Sequence, residues 1–259
     1  RKESSAASDV YKRQQYYIFI LLITLFHPLV GQDIHFSQYN QSPLNLNPSL
    51  TGNFNAKYRL VGNFRNQWSS IGEGYKTYSF SAEGKNLFKV KRISYGLLLF
   101  QDQAGSENLT QSNFAINFNY SQNLNYDSTL SVSIGAGLSY QQVKVDVNSF
   151  SFDKQYVGNS YNPNNPNGEN FNSESFGYFN PSVGSHINYA INSDNAIKFG
   201  IAFHNLLRPK NSFLQLEDQQ LEMRTAYHFS STFLVNQLID IQPSVLFMKQ
   251  GKAQEVITG

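Results

Sequence analysis

From residue 55 onward, apolar and polar positions alternate with a period of two rather than 3.6, the spacing of strands. In Asn113–Gln122, Phe114, Ile116, Phe118 and Tyr120 alternate with Asn113, Ala115, Asn117 and Asn119. Next, Leu130, Val132, Ile134, Ala136, Leu138 and Tyr140 alternate with Ser131, Ser133, Gly135, Gly137, Ser139 and Gln141. The short polar stretch Asn123–Asp127 separates them, so the two runs predict a hairpin. Similar runs cover Tyr58–Trp68, Tyr75–Glu83, Ile93–Gln103, Phe176–Ile191, Ile197–Asn205, Met223–Val235 and Ile239–Met248. That makes about nine strands, with another beginning near Glu255.

Strand length narrows the class. Strands of soluble proteins average about 5–6 residues, whereas those crossing a membrane run about 9–11. An apolar face with aromatic ends, backed by Asn, Ser, Gly and Gln, fits a wall between lipid and a wet lumen. A soluble β-sandwich alternates in the same way but uses shorter strands. The expected fold is all-β: an antiparallel transmembrane (outer-membrane) β-barrel, incomplete here with about 9–10 strands. Bacterial barrels have an even strand number. The chain stops at Thr258-Gly259 inside an expected strand, so C-terminal strands are expected to be missing. Asn123–Asp127 and Asn192–Asn195 are short connections, while Val147–Glu174 is long and rich in Asn, Pro and Gly. Pro209–Gln220 is expected on the opposite side from Asn192–Asn195.

The N-terminus follows a different pattern. Lys12-Arg13 precede the apolar run Tyr16–Phe26, then His27-Pro28-Leu29-Val30-Gly31-Gln32. That is the layout of a secretory signal, and the run is too short for a membrane helix. Residues 15–31 are read as a signal peptide, which with the barrel pattern makes the outer membrane of a Gram-negative bacterium the expected location. Residues 1–14 lack an initiator Met and resemble a read-through artefact, so they are read as a non-native leader. Residues 32–54 form an N-terminal periplasmic or plug segment, and residues 55–259 the barrel.

Composition supports this class. Mean hydropathy of −0.41 excludes a polytopic helical membrane protein, and 15% aromatics argue against disorder. The net charge of +2 vanishes once Arg1, Lys2, Glu3, Asp9, Lys12 and Arg13 are set aside. No basic stripe remains for nucleic acid. The absence of Cys excludes disulfides, thiolate metal sites and a Cys nucleophile.

Candidate chemistry is sparse. His35, His186, His204 and His228 lack metal-binding spacing, and Asn162–Glu169 has too few carboxylates for a calcium loop. Ser139, or Ser185 with His186, offers a Ser/His pair of the kind any Ser-rich barrel contains. No catalytic residue, cofactor or metal is expected. Arg65, Trp68, Glu83 and Asp102 are expected to meet inside the lumen as a structural network. Trp68 also reads as an interface aromatic, and Gly135 and Gly137 as relief of crowding within a strand.

Residues 32–68 carry a specific resemblance. Asp33, His35, Phe36, Ser37 and Gln38 are followed by Pro43, Leu44, Asn47, Pro48, Leu50 and Gly52, then by Arg65, Asn66, Gln67 and Trp68. This order resembles the PorP/SprF family of the type IX secretion system, with Phe64 where Tyr is usual and Ser69 where Pro is common. The likeness continues through Gln101–Gly105, Tyr120-Ser121, Phe152–Gln155 and Gly200–Leu207. It implies an accessory outer-membrane barrel assisting export or surface retention of large adhesin-like proteins, related to gliding motility. The implied partners are type IX machine components, a periplasmic peptidoglycan-linked protein, secreted adhesin-like cargo and outer-membrane lipid. The motif residues from Asp33 to Trp68 are candidate partner contacts. A passive porin or hydrophobic-solute channel is the alternative function.

Overall fold

The computed structural model describes residues 39–70, 74–105, 109–146, 150–158, 160–168, 174–213, 219–236 and 239–259. The chain divides into two compact units between Gln32 and Asp33, and every described residue belongs to the second. The leader, the signal peptide and Asp33–Gln38 lie outside the described residues.

The strands are β1 (Tyr58–Gln67), β2 (Tyr75–Lys85), β3 (Ile93–Ala104), β4 (Leu109–Asn123), β5 (Leu130–Lys144), β6 (Tyr156–Val157), β7 (Ser160–Tyr161), β8 (Ser175–Ala190), β9 (Ala196–His204), β10 (Arg224–Asn236), β11 (Ile239–Ile241), β12 (Ser244–Gln250) and β13 (Ala253–Thr258). One antiparallel sheet runs β1-β2-β3-β4-β5-β8-β9-β10-β12-β13, with β11 paired to β10. It is a meander, because each strand pairs with the next long one in sequence. The hairpin of β4 and β5 forms as expected, with Phe114 opposite Tyr140 and Asn119 opposite Gly135. β6 and β7 form a small separate hairpin within the long connection, which alternation did not reveal.

Two strand expectations are corrected. Ile239–Met248 is not one strand but β11 and β12, broken at Gln242-Pro243. Proline has no N–H to give the ladder, and its own carbonyl accepts from Ser231 N at 3.0 Å. The last strand begins at Ala253 rather than Glu255. Among the described residues β1 pairs only with β2 and β13 only with β12, so the sheet is open rather than closed into a barrel. No described helix is long and apolar enough to cross a membrane.

Antiparallel alternation sorts the connections to two ends. The β2–β3, β4–β5 and β8–β9 connections leave from one end of the sheet, with the start of β1; those after β1, β3, β5, β9 and β12 leave from the other. The two longest connections, after β5 and β9, share one end with the short turns after β3 and β12, and Pro209–Gln220 falls opposite Asn192–Asn195 as expected.

The outward face is apolar and exposed. It carries Tyr78 and Phe80 on β2, Leu97 and Leu99 on β3, Phe114, Ile116, Phe118 and Tyr120 on β4, and Ile134, Leu138 and Tyr140 on β5. On β5 the run Val132–Tyr140 covers about 27 Å along the strand, and a barrel tilt of about 40° leaves roughly 20 Å of height. That approaches the apolar band of about 25 Å around membrane barrels. Above it the outward positions turn polar at Gln101, Ser112 and Gln142, which lie in one lateral row.

The inward face is small and polar: Thr77, Ser79, Ser81, Asn117, Asn119, Ser133, Asn180 and His186 are buried there. Residues 39–53 cover it. The two apolar clusters sit at this junction, one of Tyr39 and Leu46 with Ala202, Ala226, Leu246 and Met248, the other of Leu44 with Leu98 and Ala115. The core thus lies between the segment and the sheet, not between two sheets.

Candidate functional site

The segment is a series of tight turns set by proline and asparagine. Pro43 opens the short helix α1 (Pro43–Leu46), a position where a missing N–H costs nothing. Asn47 is extended, and Pro48 opens a 3-10 turn through Leu50. Asn47 Oδ1 accepts from Ser49 N at 2.9 Å and from Ser49 Oγ at 2.7 Å, capping that turn. Its Nδ2 donates to the carbonyls of Ser185 and Ile201, each at 3.1 Å, and lies 3.1 Å from His228 Nε2. An amide NH2 has two hydrogens, so these three acceptors share them. One fully buried side chain thereby ties the segment to β8, β9 and β10.

Glycines in the wall let the segment approach. A Cβ at Gly184 would lie 2.1 Å from Asn47 Oδ1, and one at Gly135 would lie 2.3 Å from Ser49 N. Gly135 therefore faces the Pro48-Ser49 peptide rather than merely relieving crowding within its strand.

Other anchors follow the segment along the wall. Asn119 Nδ2 donates to Thr51 O at 2.8 Å, and Gly52 N donates to Glu83 Oε2 at 3.0 Å. Glu83 Oε1 accepts from Arg59 Nε at 2.8 Å, and the Arg59 guanidinium stacks 4.6 Å above the Phe54 ring. His204 Nε2 lies 3.1 Å from Leu46 O; a carbonyl can only accept, so this nitrogen carries the proton. Arg224 Nη2 donates to Asn45 O at 3.3 Å. Asn40 Nδ2 donates to Ser244 Oγ on β12 at 3.0 Å, while the carbonyl of neighbouring Gln41 accepts from Asn63 Nδ2 on β1 at 3.1 Å. β1 and β12 stand near opposite ends of the strand order, so the sheet curls around the segment.

Two cavities remain beside the segment. One of about 90 Å³ lies among Asn113, Asn117, Gln141, Asn180 and Arg224. The other, of about 260 Å³, lies among Tyr39, Arg59, His186, Lys198, His228 and Ser244. Asn113 Oδ1, Asn117 Nδ2 and Asn180 Oδ1 are buried without a hydrogen-bond partner among the described residues, as befits a hydrated pocket.

The motif residues separate into groups. Pro43, Asn47, Pro48 and Gly52 come together in the segment, and Pro43, Asn47 and Pro48 are buried. Arg65 and Gln67 point inward from β1 and are hydrogen-bonded to each other. Asn66 points outward and is exposed. Trp68 lies beyond the end of β1 and is exposed. Asp33, His35, Phe36, Ser37 and Gln38 lie outside the described residues.

The expected meeting of Arg65, Trp68, Glu83 and Asp102 is corrected. Glu83 pairs with Arg59, directly opposite it in the register. Asp102 accepts from Thr77 Oγ1, in the lateral row that contains Arg65. The two rows stand about 20 Å apart along β2. Trp68 joins neither. Arg59 shares the inward face of β1 with Arg65, and the register sets it opposite Glu83.

The Ser185/His186 pair is split by strand alternation: His186 is buried on the inward face, and Ser185 belongs to the outward set. Ser139 Oγ donates to Asn180 O at 3.1 Å. The rings of His186 and His228 stack with centroids 5.7 Å apart, and no three His, Cys, Asp or Glu converge among the described residues.

No curated protein and no solved structure matches the chain. A family model does: residues 30–258 match the family described as type IX secretion system membrane protein PorP/SprF. The match extends beyond Leu207, where the motif resemblance stops, and includes β10 to β13. With nine-tenths of its length inside that match, its sheet apolar outside and polar within, the chain belongs to the PorP/SprF family of type IX secretion system membrane proteins.

Proposed function

We propose that this protein is an accessory outer-membrane β-barrel of the type IX secretion system that assists export or surface retention of large adhesin-like proteins, in support of gliding motility. Its work is binding, and no residue is assigned a catalytic role. The family match over residues 30–258 carries this reading. In it, residues 39–53 are a plug held in the lumen, and the end that carries the β4–β5 and β8–β9 turns faces the periplasm. The Asp33–Gly52 region meets periplasmic components, including a peptidoglycan-linked protein. The long connection Val147–Glu174 meets cargo at the cell surface. Deleting the gene in its native host, then comparing surface and secreted proteins by mass spectrometry, tests the reading. Loss of one or a few large adhesin-like proteins is the expected result; an unchanged exported set overturns it.

The polar cavities beside the segment favour a second reading, a passive channel. A conducting lumen gives stepwise currents in planar bilayers, whereas a plugged barrel gives almost none.

A further inference from the structure

The turn between β2 and β3 reads Asn86-Leu87-Phe88-Lys89-Val90-Lys91-Arg92. Phe88 is 88% exposed and Val90 46%, and Lys89, Lys91 and Arg92 are exposed beside them. Three of these residues have left-handed backbone: Asn86 at φ 63°, Phe88 at φ 51° and Lys89 at φ 69°. A bulky side chain rarely accepts that conformation. Here it holds an aromatic ring away from the fold instead of against it.

The charges have no internal use. No ion pair joins Lys89, Lys91 or Arg92 to a carboxylate among the described residues. Arg92 Nη1 reaches only the Tyr120 hydroxyl, at 3.4 Å. Lys57, also exposed, lies at the same end of the sheet. Of the nearby acids, Glu83 is buried and held by Arg59, and Asp127 sits in the neighbouring turn. The turn also continues the outward apolar face. It leads directly into Ile93, opposite Tyr120 in the register, with Tyr95 next on the same face.

We propose that this turn is a membrane-interface anchor: Lys89, Lys91 and Arg92 bind phospholipid headgroup phosphates while Phe88 and Val90 enter the acyl boundary. Two observations select lipid as the occupant. The cations complement phosphate with no internal acid competing, and the apolar residues are continuous with the apolar band. Long basic side chains at the edge of such a band reach the headgroups while their stems stay in the apolar zone. The proposal rests on the membrane-barrel reading above.

Trp68 is the only tryptophan, so Trp68→Phe gives a silent background for a Phe88→Trp reporter. The full chain carrying both changes is reconstituted in vesicles of phosphatidylglycerol and phosphatidylethanolamine with brominated acyl chains. Strong quenching of the introduced tryptophan is expected. Changing Lys89, Lys91 and Arg92 together to Gln should lower retention of phosphatidylglycerol in native mass spectrometry by on the order of a hundredfold, at about fivefold per cation. An unquenched reporter in inserted protein overturns the anchor, as does unchanged lipid retention; both are expected of a turn that docks a soluble periplasmic protein. A chain that never enters the vesicles overturns the membrane-barrel reading and the anchor with it.

Discussion

The Asn47 amide nitrogen lies 3.1 Å from the His228 ring nitrogen, joining residues separated by 181 positions. The same amide serves two backbone carbonyls, so its removal leaves several buried groups without a partner at once.

Asn47→Ala should therefore cost about 2–3 kcal/mol, more than a typical single hydrogen bond. Denaturant unfolding in detergent micelles measures it. A loss no larger than that of an exposed Asn→Ala control would show that the amide does not hold the segment.

Gly184→Ala should act on the same contact from the wall side. The added carbon meets Asn47 Oδ1 at 2.1 Å, too close for either group to stay in place. Overpacking of this kind costs about 1–3 kcal/mol. Limited proteolysis between residues 39 and 53 should speed up severalfold while the strands remain resistant. Equal cleavage rates in both proteins would count against the seating described.

Glu83→Gln should destabilise by about 2 kcal/mol. Its carboxylate is fully buried but the Arg59 side chain is 26% exposed, so water compensates part of the loss. A double-mutant cycle with Arg59→Met separates the pair from its surroundings. Strict additivity in that cycle would refute coupling between the two residues.

Alkali should loosen the segment near Tyr39. Burial pushes the Tyr39 phenol above its usual range, with Ser244 pulling the other way. The folded form thus binds the proton more tightly than the unfolded form. Stability is fully present below the unfolded value of about 10 and falls as pH rises toward the folded value. Tyr39→Phe should flatten this fall in a pH series of thermal melts; an unchanged slope in the variant is the contrary outcome.

Replacing Val147–Glu174 with a short turn should reduce cargo retention at the cell surface and leave membrane insertion unchanged. Cell fractionation with surface proteomics measures both. Full retention in that variant would remove the loop from the cargo role.

The two-residue period revealed the faces of the sheet, because burial on one side only requires it. Phe114 to Tyr120 and Ile197 to Phe203 lie outward as that period demands. The turns at Pro43 and Pro48 carry a local signal, since proline restricts the residue before it. What alternation could not give was height along the strand. It placed Arg65, Glu83 and Asp102 on one face but did not choose between Arg59 and Arg65 as the partner of Glu83. Pro243 removes a ladder donor, which the alternation of side chains around it does not register. The Asn47 contacts depend on strands 138 to 181 residues away, which no local pattern encodes.

The bonds from Asn40 to β12 and from Gln41 to β1 have a kinetic consequence. Hairpins such as β4 and β5 close over a few residues, while the Asn40–Ser244 contact closes a loop of 204 positions. Loop closure of that length can be rewarded only after the intervening strands have paired. The first part of the segment therefore docks last. On this order the strands pair around an interior that the segment fills afterwards, and refolding should show this docking as its slowest contact.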